Sequence, residues 1–128
     1  MSGPPGDLEL LRLADEAAAR AYAPYSRFQV GCAVLARDGR VIAGANVENA
    51  AYPLGLCAER AALARALAEG YRPGDFLAAA VTASPCGGCR QWLLELGVER
   101  VVFRNGGRVV AMAARELLPE SFEASALP

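Results

Sequence analysis

The chain has 128 residues, of which 54% are hydrophobic and 21% charged, with a net charge of -1. That is one domain's worth of sequence with apolar material for a core, and neither the charge balance nor any run of like charge leaves the basic footprint of a nucleic-acid groove. All 13 basic residues are arginine and histidine is absent, so Ser–His and Cys–His nucleophile schemes are excluded and any base, acid or metal ligand must come from Asp, Glu, Cys, Tyr or bound water.

Residues 1–6 read as a flexible lead-in without the basic and apolar regions of a signal peptide. Asp7 is placed to cap a helix through about Ala21, with Leu8, Leu11, Ala14, Ala18 and Ala21 at helical spacing and Pro24 as its stop. Phe28 to Ala36 reads as a strand, Asp38-Gly39 as a hairpin turn, and Arg40 to Val47 as the return strand. A loop with Pro53 and Gly55 leads into a helix from Cys57 to about Glu69, ended by Gly70. Phe76 to Ala83 is a nearly continuous apolar run, the mark of a buried strand. Ser84-Pro85 opens a helix from about Cys86 to Leu96. Glu99 to Arg104 and Arg108 to Met112 are strands around an Asn105-Gly106-Gly107 turn, and a short helix near Ala113 to Leu118 precedes an irregular tail over about 119–128.

The order predicts a single α/β domain over 1–128, a five-stranded sheet with helices on both faces. No apolar stretch reaches the length of about 20 residues that a membrane span needs. The expected protein is therefore soluble and cytoplasmic, with reduced thiols, and there cysteines point to metal or catalysis before disulfides.

Three of the four cysteines form a pattern: Cys57-Ala58-Glu59, then Pro85-Cys86-Gly87-Gly88-Cys89. Cys57 and Cys86 each stand at a helix start, where unpaired N–H groups and the helix dipole favour thiolate. One turn separates Cys86 from Cys89, so both sulfurs can face one point. Three sulfur ligands on zinc leave a fourth position for water, the arrangement of a catalytic site. Glu59 is offset from that position and suited to take a proton from the bound water. The combination matches a known zinc-deaminase pattern, a ligand-x-Glu element plus Pro-Cys-x-x-Cys, with three cysteines as one permitted ligand set. A Cys-x-x-Cys alone would read equally as a redox dithiol or half of a structural zinc site. Cys32, inside an apolar strand and without partner spacing, reads as plain core.

Three thiolates on Zn²⁺ carry a net charge of about -1, which a nearby cation would offset, and Arg60, directly after Glu59, is the candidate. The alternative is a solvated helix arginine. Asn46 and Glu48, two residues apart near a strand end, share a face and suit the hydroxyls of a sugar, unless they are an ordinary polar strand end. A carboxylate there disfavours a phosphate nearby.

The runs Tyr25-Ser26-Arg27-Phe28, Val30-Gly31, Asn46-Val47-Glu48-Asn49-Ala50, Tyr52 to Arg60 and Ser84 to Gln91 resemble the short cytidine deaminases, as does the closing Glu116-Leu117-Leu118-Pro119-x-x-Phe122. The resemblance covers about residues 22–122. It implies a three-layer αβα sandwich with a mixed five-stranded sheet, one Zn²⁺ per subunit and a homotetramer with composite active sites. It implies deamination of cytidine and deoxycytidine, a small-molecule nucleoside reaction of pyrimidine salvage with no nucleic-acid or membrane partner. Residue by residue, it implies Cys57, Cys86 and Cys89 as zinc ligands, Glu59 as proton shuttle and Arg60 as a hydrogen-bond donor to the thiolates. It further implies Phe28, Asn46, Glu48 and Ala58 as substrate contacts and Phe122 as closing a neighbouring subunit's site. The stretch before Ser84 is several residues shorter than is usual in that family, so a different pocket rim is expected there. Two rival readings are the same chemistry on another substrate and a zinc-stabilised binding module without turnover.

Overall fold

A central, doubly buried strand organises the molecule. In the computed structural model, which describes residues 3–128, β1 (Gly31–Ala36) buries all six of its residues, the burial expected of a strand covered on both faces. It pairs antiparallel with β2 (Val41–Ala45) on one side and β3 (Phe76–Val81) on the other. β3 runs parallel to β4 (Arg100–Asn105), and β4 antiparallel to the edge strand β5 (Arg108–Ala113). The sheet order β2-β1-β3-β4-β5 is thus mixed.

The pleat sends alternate residues to opposite layers. Ala33, Leu35, Ala78, Ala80 and Val102 meet Leu10, Leu11 and Ala14 of α1 (Asp7–Ala18) on one face. Cys32, Val34, Val81, Val101 and Phe103 meet Ala58, Ala62 and Leu63 of α2 (Ala58–Ala68) and Leu93 of α3 (Gly87–Glu95) on the other. The short α4 (Ala114–Leu117) adds Ala114 and Leu117 to that second core. Each fully buried Leu or Val contributes roughly 1.5–3 kcal/mol. Helices lie on both faces, so the expected three-layer αβα arrangement is present.

Contact between helix and sheet is close enough to require glycine. A Cβ on Gly31 would stand 1.9 Å from the carbonyl oxygen of Ala14, and one on Gly44 would stand 2.4 Å from the backbone nitrogen of Ala62. Gly44 therefore lets α2, which carries Glu59 in its first turn, settle directly onto β2.

Several boundaries differ from the sequence reading, each for a local reason. Gly6, not Asp7, is the N-cap of α1 and makes no side-chain cap bond; Asp7 lies inside the helix, its carboxylate paired with Arg100. The helix ends at Ala18, well before Pro24, because the chain peels away to bridge: Tyr22 N–H donates to Asn46 O at 3.0 Å and Glu48 N–H to Tyr22 O at 2.8 Å. β1 starts at Gly31 and not Phe28, since the Val30 amide is taken by the Asn46 side chain. The hairpin loop spans residues 37–40, with Gly39 at φ 91° and Arg40 N–H closing onto the Asp38 carboxylate. β3 stops at Val81 rather than Ala83, and the tail includes one 3-10 turn, Ala124–Ala126. The expected flexible lead-in begins with Met1 and Ser2, which lie outside the described residues. Among the described residues no helix is long and apolar enough to cross a membrane.

Candidate active site

Two helix starts converge beside β1. Cys57 is the N-cap of α2 and Cys86 the N-cap of α3, both with extended backbone. Cys89 lies in the first turn of α3, so the sulfurs of Cys57, Cys86 and Cys89 lie within 4.8 Å of one another. Cys57 Sγ and Cys86 Sγ are 3.9 Å apart. That is far longer than a disulfide's ~2.05 Å. It is close to the ~3.8 Å edge of a tetrahedron built on Zn–S distances of about 2.3 Å. Among the described residues, no fourth histidine, cysteine or carboxylate joins the group.

Electrostatics favour the same occupant. Burial pushes the Cys57 and Cys89 thiols above their ordinary range. Burial opposes ionisation of Cys86 too, but the Cys89 backbone N–H and neighbouring side chains bring it below the usual value. The helix-start argument for a depressed thiol therefore holds at Cys86, while at Cys57 desolvation outweighs it. Arg60 Nη2 donates toward Cys57 Sγ at 3.4 Å and Cys86 Sγ at 3.9 Å, so this half-buried guanidinium is turned onto the sulfurs. Three crowded sulfurs beside one guanidinium suit a divalent, thiophilic ion, and zinc fits this donor set with one coordination position left over.

Glu59 is 3% exposed, the only buried charged side chain among the described residues. Burial raises its carboxyl above the ordinary carboxylate range, with Arg60 and Cys89 pulling the other way. A carboxylate held in such a place is suited to carrying a proton.

These groups close one end of a cleft of about 830 Å³. Cys57, Ala58, Glu59 and Cys86 line it, as do Phe28, Asn46 and Glu48, together with Tyr25, Tyr52 and Ser84. Tyr25 and Tyr52 meet edge to face at 6.3 Å between centroids. All the expected site residues except Cys89 and Phe122 therefore line one cleft, and Cys89 is buried beside it within the sulfur group. Phe122 is 61% exposed and borders a separate hollow with Leu94, its carbonyl accepting from Gln91 Nε2 at 2.9 Å. Cys32 is fully buried in the core under α2, outside the sulfur group.

Two contributors went unread in the sequence. Ser26 hydrogen-bonds the Glu48 carboxylate. Arg90, next to Cys89, donates to Pro85 O at 2.9 Å and to Leu117 O at 3.0 Å, tying the turn before Cys86 to the end of α4. Neither has a spacing signature, because their partners lie in other segments.

Comparison with known proteins agrees with this geometry. The family described as the cytidine and deoxycytidylate deaminase zinc-binding region matches residues 5–105. A cytidine deaminase of Halalkalibacterium halodurans is 48% identical over 124 residues, covering 90% of this chain and 92% of that protein. One from Mycobacterium tuberculosis is 43% identical over 132 residues, covering 98% and 96%. The crystal structure of cytidine deaminase from Burkholderia pseudomallei superposes with a TM-score of 0.87 at 48% identity, covering 92% of this chain and all of that one.

Proposed function

This chain belongs to the cytidine and deoxycytidylate deaminase family, and on that premise we propose that it hydrolyses cytidine and deoxycytidine to uridine and deoxyuridine, releasing ammonia. The observation that carries this is one end of the cleft, where a buried carboxylate stands beside three sulfurs that lack a fourth protein ligand among the described residues.

Zinc on Cys57, Cys86 and Cys89 supplies, when bound, a Lewis acid that lowers the pKa of a water to about 7. Glu59 receives one proton from the attacking water and delivers it to N3 of the cytosine ring as the hydroxyl adds to C4; it then takes the proton of that C4 hydroxyl and passes it to the amine, which leaves C4 as ammonia while the C4 carbonyl forms. Positioned proton transfer of this kind is typically worth about 10²–10⁴-fold. Arg60 offsets the negative charge of the thiolates so that the water stays acidic. Phe28 lies against the base, Asn46 and Glu48 hold ribose hydroxyls, and buried Ala58 borders the ring at the start of α2. A nucleoside is the better substrate than its 5′-phosphate, because the only cation lining the cleft among the described residues is Arg60, already engaged by sulfur.

The enzyme acts as a homotetramer in cytoplasmic pyrimidine salvage, with Phe122 completing a neighbour's site. What supports the assembly is that the large apolar side chains of Tyr22, Tyr25, Tyr52, Leu54 and Phe122 are each about half or more exposed in the single chain.

Glu59→Gln tests the assignment. Zinc content should persist while turnover falls by two or more orders of magnitude; near-normal turnover in that variant would remove Glu59 from the chemistry.

A further inference from the structure

The loop that carries Phe28 is held by one backbone bond, Arg27 N–H to Ala23 O at 3.0 Å, and by two side chains from just beyond β2. Glu48 Oε1 accepts the Tyr25 N–H at 2.9 Å and the Ser26 N–H at 3.0 Å, and Oε2 accepts the Ser26 hydroxyl. The Ser26 oxygen in turn accepts the Phe28 N–H at 3.0 Å. Asn46 takes the other side, its Nδ2 donating to Phe28 O at 2.9 Å and its Oδ1 accepting the Val30 N–H at 2.8 Å.

Between these bonds Arg27 holds φ at 60°, a left-handed conformation that a non-glycine residue adopts only when its surroundings impose it. Phe28 itself is 63% exposed in the single chain, so packing within the chain does not fix its ring in the cleft. Its stance follows from its backbone, and its backbone follows from the bonds to Ser26 and Asn46.

We propose that Ser26 is a positioning residue for substrate binding: its hydroxyl links the Glu48 carboxylate to the Phe28 amide and so sets where the Phe28 ring stands. The inference rests on reading Phe28 as the contact to the base. It also gives Glu48 a second task. A carboxylate has about four acceptor positions, and the loop occupies three of them. One remains for a ligand hydroxyl, and Ser26 helps to aim it.

The test uses zinc-loaded full-length protein and four variants: Ser26→Ala, Ser26→Thr, Phe28→Ala, and Ser26→Ala combined with Phe28→Ala. Ser26→Ala should raise the KM for cytidine roughly tenfold with kcat held within about twofold, the pattern of lost binding shared by ground and transition states. Zinc content should not change. Ser26→Thr, which keeps the hydroxyl, should restore KM, and the double variant should bind no worse than Phe28→Ala alone. A normal KM in Ser26→Ala alongside a raised KM in Phe28→Ala overturns the Ser26 role and spares the Phe28 reading. Additive losses in the double variant do the same. An unmoved KM in Phe28→Ala overturns the base-contact reading and this proposal with it.

Discussion

Arg60 Nη2 lies 3.4 Å from the Cys57 sulfur, three residues along the same helix, while Arg60 Nε is buried without a hydrogen-bond partner. The guanidinium is thus committed to the sulfurs at some cost to its own hydration. Replacing it by a neutral residue leaves the three thiolates with their charge unanswered. Arg60→Gln should fold normally and release zinc to a chelator about 10–100-fold faster than the parent. An unchanged release rate would reduce Arg60 to a packing residue.

Gly44 is the second place where one atom matters. A methyl group there would meet the Ala62 backbone at 2.4 Å and the Ala62 Cα at 2.8 Å, and backbone cannot step aside as a flexible side chain would. Gly44→Ala should cost about 1–3 kcal/mol of stability in denaturant unfolding. Because α2 carries Glu59, a shift of that helix should also lower kcat. A stability within error of the parent would mean that α2 rides more loosely on the sheet than the contact implies.

Asp15 and Arg104 tie α1 to β4 through two parallel hydrogen bonds of 2.7 and 2.8 Å. The Arg104 guanidinium holds the Asp15 carboxyl below its usual range. With a depressed folded value, the pair stabilises the fold above the unfolded pKa of about 3.9 and loses that contribution as pH falls through the folded value. Both side chains stay well exposed, at 39% and 47%, so screening keeps the effect small. Asp15→Asn should cost less than about 1 kcal/mol at pH 7. The gap between parent and variant should close as the pH is lowered through the acid range, which thermal melts across pH would read.

What could be read from the sequence is what depends on local chain direction. Cys57 and Cys86 were recognisable as helix starts because Pro85, Gly55 and the apolar periodicity behind them mark where helices begin, and both are N-caps. The burial of β3 followed from its nearly continuous apolar run, while the full burial of β1 emerged only with the structure. Features set by distant partners were not legible. Asp7 carries the chemistry of a cap, yet Arg100, 93 residues away, takes its carboxylate. Phe28 to Val30 has the composition of a strand, yet Asn46 and Glu48 bend the segment into a loop instead. Ser26 and Arg90 act through bonds spanning 22 and 27 residues, which no periodicity records.

The proposed chemistry requires Glu59 to act beside a metal ion that Cys57, Cys86 and Cys89 would hold. Ammonia release from cytidine, followed with metal-stripped and zinc-restored protein, tests it most directly. Stripping should abolish turnover, and about one equivalent of Zn²⁺ per chain should restore it. Turnover of cytidine at an undiminished rate by the stripped protein would contradict it.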